Sequence, residues 1–250
     1  MKIKKWVKIA SYSLCLAILI AIAEKRRSNR LCQHVLVDVD NRDENHFVDK
    51  EDIRLLMTSA GADRIIGRRY TEIDLKELEK RVETNKYIRK AQVHQDVKGN
   101  ILIEAKQNRP LVRLLREGAP DAYLGEAGQV LPMSSKYTAR VMLVSGPYTA
   151  TLVSKKIGKD EDVSRVFDLI KYISNDPFWK AQIAQLEIDD EGGIVLYPQV
   201  GKQKIEFGPA ENIEAKFNKL NVFYEQVLPR KGWNYYKRVN LEYQDQIVCD

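Results

Sequence analysis

The pattern of apolar and polar residues changes twice along the chain. It opens on an apolar run, Ile9 to Ala23 (IASYSLCLAILIAIA), fifteen residues without a charge, which Trp6 and Val7 extend towards the N-terminus. A membrane-spanning helix needs about 20 residues, or ~17 with lysines snorkelling at its ends, and Trp6 to Ala23 just reaches that. Ala21-Ile22-Ala23 is also an A-x-A-like cleavage site. The cluster Lys25, Arg26, Arg27 and Arg30 that follows at once suits an uncleaved anchor better than a cleaved signal peptide.

From His34 the periodicities are those of a folded domain. His34 to Val39 (HVLVDV) alternates as a half-buried strand does. Asp49 reads as an N-cap, with Ile53, Leu56 and Met57 forming an apolar face and Gly61 a stop. A second helix starts at Asp74, with Glu77 as capping-box partner and Ile73 and Leu78 placed for a hydrophobic staple. Leu75, Leu78 and Val82 share its buried face. Strands Ala91 to Asp96 and Ile101 to Gln107 flank the turn Lys98-Gly99-Asn100. In the latter, Ile101, Ile103 and Ala105 point one way and Leu102, Glu104 and Lys106 the other. Strand, helix, helix, strand, strand before Pro110 makes a two-layer α+β unit.

Beyond Pro110 the reading turns mostly to β. Short apolar segments, Leu111–Leu115, Ala122–Leu124, Gln129–Leu131 and Val141–Val144, are cut by turn residues. A helix runs from about Asp162 to Ser174 and is closed by Asn175-Asp176-Pro177. Strands Gln185–Ile188 and Ile194–Tyr197 flank a Gly-containing hairpin loop, and Gln203–Phe207 makes another. The last helix carries Ile213, Phe217, Leu220, Phe223, Tyr224 and Val227 and ends before Pro229; Lys237–Tyr243 and Ile247-Val248 finish the chain. In that terminal strand Val239, Leu241 and Tyr243 would face one side.

Charge sharpens the picture. The net charge of +6 hints at nucleic acid, but residues 1–30 alone hold eight Lys/Arg and one acid. The remaining 220 residues carry 33 Lys/Arg against 34 Asp/Glu, so the basicity flanks the apolar run, as at a membrane, and the nucleic-acid reading falls away. Of the three cysteines, Cys15 lies in the apolar run; Cys32 and Cys249 stand at opposite ends of the rest, where two unpaired thiols is a simpler reading than a bridge. His34, His46 and His94 are isolated, without H-x-x-x-H or C-x-x-C spacing for a metal. No G-x-S-x-G, S-x-x-K, Walker or G-x-G-x-x-G motif occurs. The acidic stretch Asp38 to Asp43 fails as a calcium loop because Asp43 takes the glycine position. Asp189, Asp190 and Glu191 read as a polar hairpin tip rather than catalytic carboxylates. The expectation is a non-enzyme without a cofactor. The aromatic residues Trp233, Tyr235, Tyr236 and Tyr243 fit either core packing or a partner surface.

Residues 74–113 then carry a resemblance. Leu78-Glu79, the run Asn85-Lys86-Tyr87-Ile88-Arg89-Lys90-Ala91-Gln92-Val93, and Gly99 to Ala105 through Gln107 to Arg113 are similar to segments of the bacterial FtsQ/DivIB cell-division family, with Lys86 where the family usually has proline. Tyr123-Leu124, Gly128, Ile205-Glu206-Phe207-Gly208, Lys216 to Leu220 and the terminal VNLEYQDQIV continue the likeness. The resemblance implies a cytoplasmic tail (1–5), a single transmembrane helix (6–23), a juxtamembrane linker (24–33), a βααββ POTRA domain (34–110) and a mostly antiparallel β domain with two helices (111–250). It also implies a non-catalytic divisome scaffold in the cell (inner) membrane at midcell. Such a protein binds small bitopic coiled-coil partners of the FtsB/DivIC and FtsL kinds and links ring components to septal peptidoglycan synthesis. The family's coiled-coil partner docks on the C-terminal strands. Here that implicates an edge strand Lys237–Val248, from which Arg238, Asn240 and Glu242 would point outward, with Tyr235, Tyr236 and Tyr243 as added anchors. Two rivals are a POTRA-containing secretion or assembly factor, which would want a β-barrel or a POTRA array, and an anchored cell-wall hydrolase, which would want an activated nucleophile or a metal.

Overall fold

The computed structural model describes residues 12–22, 30–40, 46–59, 61–96, 98–244 and 246–250. Of the expected membrane span 6–23, residues 12–22 are described; they are helical, with Leu14, Leu16, Leu19 and Ile20 exposed. Eleven residues rise only about 16 Å. Among the described residues no helix is long and apolar enough to cross a membrane. The tail 1–5 and most of the linker 24–33 lie outside the described residues, as do Asn41 to Asp43 of the acidic stretch. The chain divides into two compact units, one ending at Gln107 and the other starting at Asn108.

In the first unit β1 (His34–Asp40) leads to α1 (Lys50–Met57) and α2 (Leu75–Glu83), then to β2 (Ile88–Gln95) and β3 (Asn100–Gln107). The last strand takes the middle: the order is β1-β3-β2, with β1 parallel and β2 antiparallel to β3. Ile101, Ile103 and Ala105 of β3 are buried, together with Ile53, Met57, Leu78 and Val82 from the helices. Leu102 is half-buried and Glu104 and Lys106 are exposed, as alternation requires.

Both helices start on an aspartate. Asp49 accepts from the Asp52 N–H at 2.8 Å, and the Asp52 carboxylate accepts the Asp49 N–H at 3.0 Å, a complete capping box. Asp74 accepts from the Glu77 N–H at 3.1 Å, but the Glu77 carboxylate takes Arg81 Nε at 3.3 Å, so that box is half-formed. Further along α2, Glu79 and Glu83 reach across to β2. Their carboxylates accept the N–H groups of Val93 at 2.9 Å and Ala91 at 3.0 Å.

The second unit runs β4 (Pro110–Leu114), β5 (Ala122–Gly125), β6 (Val130–Pro132), β7 (Met142–Ser145), α3 (Tyr148–Ser154), α4 (Glu161–Asn175), α5 (Pro177–Gln182), β8 (Ile183–Ile188), β9 (Ile194–Pro198), β10 (Lys204–Gly208), α6 (Ile213–Val222), a π-helical turn (Phe223–Val227), α7 (Leu228–Lys231), β11 (Arg238–Asn240) and β12 (Val248–Cys249). Nine strands form one sheet in the order β12-β11-β10-β9-β8-β7-β4-β5-β6. The expected "mostly antiparallel with two helices" is too simple. Five neighbouring pairs are antiparallel, but β4–β7, β7–β8 and β10–β11 are parallel. Parallel neighbours need long crossovers, and helices supply two of them: α3 to α5 before β8, and α6 to α7 before β11. Where β7 ends, Gly146 (φ +95°) passes so close to Ile188 that a Cβ would stand 2.2 Å from its carbonyl oxygen.

Two local departures have clear causes. Asp176, expected to close a helix, closes α4 and opens α5: its Oδ1 accepts the N–H groups of Phe178 and Trp179, and Pro177 occupies the first turn. Pro229 does not end the last helix. Proline has no N–H for a carbonyl four residues back, and its ring crowds that carbonyl. The preceding turn widens instead, the Leu228 N–H bonding Phe223 O five residues back, and the helix continues to Lys231.

Candidate partner-binding edge

The residues implicated at the C-terminus fall on β11, β12 and the segments beside them. β11 lies parallel to β10 in the register Lys204↔Arg238, Ile205↔Val239 and Glu206↔Asn240. One face of this corner is core: Val239, Leu241, Ile205 and Phe207 are fully buried, and Phe217, Leu220 and Phe223 from the helical side belong to the same apolar core.

The other face is a polar cluster built on Glu206. Arg238 donates to its carboxylate through both Nε at 2.6 Å and a terminal nitrogen at 2.7 Å, a bidentate pair, and its other terminal nitrogen reaches Asp250 Oδ2 at 3.3 Å. Asn240 Nδ2 donates to the same Glu206 carboxylate at 2.8 Å. The Arg238 bond, with a smaller contribution from Asn240, holds the Glu206 carboxyl below its ordinary value; Arg238 is in turn shifted upward, chiefly by that bond. Asn240 was expected to point to a partner, but it is only 7% exposed. Its Oδ1 accepts the Glu242 N–H at 2.8 Å, a local turn that ends the strand at Asn240. Two lysines of α6, three residues apart, fix the neighbouring loops. Buried Lys216 donates to Phe207 O at 2.8 Å and Pro209 O at 2.9 Å, its charge disfavoured by desolvation. Lys219 donates to Leu241 O at 2.9 Å and also to Tyr243 O.

The expected edge strand Lys237–Val248 is therefore not one strand. β11 is interior, because the chain turns back beyond Leu241 and β12 pairs antiparallel along its outer side, Val239↔Cys249 and Asn240↔Val248. Arg238 and Asp250 exchange N–H···O bonds at 3.2 and 3.1 Å, and the Lys237 N–H also bonds Asp250 O. Antiparallel alternation then directs the Asn240 N–H to Val248, while the N–H and C=O of Cys249 point away from β11, outward from the sheet. Cys249, whose thiol is free, is the edge residue that sequence reasoning missed. Its trace in the sequence is the short apolar run Ile247-Val248-Cys249 behind a polar stretch.

The aromatic residues separate. Tyr236 is half-buried with its ring 5.8 Å from Phe223, on the core side. Tyr235 is 62% exposed, standing edge-on to Tyr236 with Lys231 Nζ 5.6 Å from its ring. Tyr243, which alternation would put on the core face and the resemblance at the partner surface, is 52% exposed because the chain has left the strand by then. Tyr235, Tyr243, Glu242 and half-exposed Arg238 are thus the surface groups around the edge. Among the described residues no group of three metal-ligating side chains comes together.

Comparison with known families gives two matches. Residues 30–106 match the POTRA-like domain model. Residues 109–250, more than half of the chain, match the model described as FtsQ/DivIB, C-terminal related. The chain belongs to this FtsQ/DivIB-related family. No curated protein matches it in sequence. The FtsQ/DivIB match covers every element from β4 to β12, and with the POTRA-like unit it makes this a division-related, POTRA-containing protein.

Proposed function

We propose that the protein is a membrane-anchored, non-catalytic scaffold of the division machinery whose β12 edge accepts a strand from a small bitopic coiled-coil partner of the FtsB/DivIC or FtsL kind. The observation that carries this reading is the outward-facing backbone of Cys249, with Tyr235 and Tyr243 exposed on the segments before and after β11. Such an edge supplies main-chain bonds for affinity, and its neighbouring side chains supply selectivity. The anchor rests on the uncharged run Ile9 to Ala23 with cations on both sides. Residues 6–23 would span the membrane once, with the short tail cytoplasmic and the two units outside.

Cys249→Pro is the direct test. It removes the outward N–H and no bond of the ladder, so the sheet is expected to survive, as edge strands tolerate proline on their open side. A pull-down of the coiled-coil partner from the native membrane should fail with Cys249→Pro and succeed with Cys249→Ser. Equal capture by both variants would overturn the edge assignment. A fluorescent fusion should gather at midcell and stay in the membrane pellet after carbonate washing; uniform envelope signal would favour the secretion-factor rival.

A further inference from the structure

On the helical side of the second unit lies a groove of about 450 Å³ that the strand edge does not use. Asp176, Phe178, Trp179, Tyr224, Glu225 and Trp233 line it. Tyr224 is its centre. The rings of Phe178, Trp179 and Trp233 meet that of Tyr224 nearly at right angles, with centroids 6.1, 5.6 and 5.7 Å away.

An unpaired polar group marks this place. Tyr224 is 4% exposed, yet its hydroxyl has no hydrogen-bond partner. A buried hydroxyl without a partner is destabilising and is uncommon in folded proteins. Tyr224 sits in the π-helical turn that precedes Pro229. Burial raises its phenol to about 12, so the hydroxyl keeps its proton and can both donate and accept.

Charge decides the class of ligand. The groove's lining includes two carboxylates, Asp176 and Glu225, and no Lys or Arg. Aromatic walls with negative charge at the rim attract a cation and repel an anion. Glu225 is exposed at the rim, its Oε1 held by Asn221 Nδ2 at 3.0 Å. A guanidinium suits this arrangement better than an ammonium. It is planar, weakly hydrated and stacks on rings while its forked donors engage a carboxylate. We propose that this groove binds an arginine side chain presented by a partner protein, at a site separate from the β12 edge.

The test uses the full chain in detergent with 5-fluorotryptophan at its three tryptophans, Trp6, Trp179 and Trp233. The probe is a capped Gly-Arg-Gly peptide, compared with its citrulline counterpart, which is neutral and nearly isosteric, and with chitotriose. The arginine peptide should move the Trp179 and Trp233 resonances and leave Trp6 still, and added salt should weaken the effect. Glu225→Gln should weaken binding about tenfold, and Tyr224→Phe, which keeps the ring, should bind like the parent. Tyr224→Phe removes an unpartnered hydroxyl and keeps the ring, so its melting temperature should not fall. Cys249→Pro should titrate like the parent, which separates this site from the edge. An equal response to citrulline, a response to chitotriose alone, or no movement of Trp179 and Trp233 would overturn the proposal.

Discussion

The edges at β2 and β12 end their sheets in opposite ways. At β2 the outward N–H groups of Ala91 and Val93 are taken by the Glu83 and Glu79 carboxylates of the adjacent helix. At β12 no described helix residue takes the outward groups of Cys249, and the strand is only two residues long. An uncovered edge is a hazard in a soluble domain, which is why edges are usually blunted by charge, proline or a covering element. The first unit meets that demand with glutamates of its own helix. The second leaves its last strand short and open. A covered edge protects a fold; an open one is suited to a partner.

Each edge hangs on a buried strand, and the largest effects are expected there. Ile103 in β3 supports β2, and Val239 in β11 supports β12; both are fully buried. An aspartate at either position would bury a charge without a partner, expected to destabilise its unit by about 4 kcal/mol. Hydrogen exchange of Ile103→Asp should lose protection through β1 to β3, and that of Val239→Asp through β10 to β12. Unchanged protection in either would mean that the strand does not carry its edge.

The comparison sharpens with the glutamates themselves. Glu79→Ala and Glu83→Ala together uncover β2, each removing a charge-assisted bond worth about 1–2 kcal/mol. Beyond that loss, the double variant should self-associate in sedimentation experiments, as open edges do. A monomeric double variant would show that the carboxylates hold the helix in place and do not guard the edge.

How far the sequence disclosed these features depends on the range of the forces that made them. Capping aspartates, the β2–β3 turn at Gly99 and the alternation in β3 act over a few residues and were legible. So was the strand-helix-helix-strand-strand order of the first unit. The placing of β7 between β4 and β8 was not, because parallel pairing across helical crossovers leaves no local mark. Asp176-Pro177 carries a readable mark, an N-cap followed by proline at the first helical position, but the same residues read equally as a helix stop. At the candidate edge the alternation correctly put Val239 and Leu241 inside. It also put Asn240 on the opposite face, but there the amide is buried against Glu206, and it failed at Tyr243 because the side chain of Asn240 captures the Glu242 N–H and turns the chain. Cys249 was overlooked, since which of two neighbouring segments is outermost follows only from their pairing.

A smaller difference concerns the helix starts in the unit with the covered edge. Asp49 completes its capping box, whereas Asp74 shares its box with a competing arginine. Asp49→Ala is therefore expected to cost about 1.5 kcal/mol and Asp74→Ala about 1 kcal/mol in thermal or denaturant unfolding. The reverse order would mean that Arg81 on Glu77 strengthens the second start instead of weakening it.

The smallest effect belongs to the polar side of the open edge and appears only in acid. Arg238 holds the Glu206 carboxyl below its ordinary value of 4.5, so the folded state binds that proton less readily than the unfolded chain does. The stabilisation is fully present above the unfolded value and is lost as pH falls below about 4.5 and through the lower folded value. The Glu206 side chain is 28% exposed, so water and salt screen the pair and the loss is modest. As the carboxylate is neutralised it releases Arg238 and Asn240, the two side chains that tie β11 to β10 on this face. Amide exchange at Val248 and Asp250 should therefore quicken in that acid range before the rest of the nine-stranded sheet responds. Glu206→Gln, uncharged at every pH, should show the quickened exchange already at neutral pH and lose the acid step. If the step persisted in Glu206→Gln, another carboxylate would be responsible, and the polar cluster would not be what steadies the open edge.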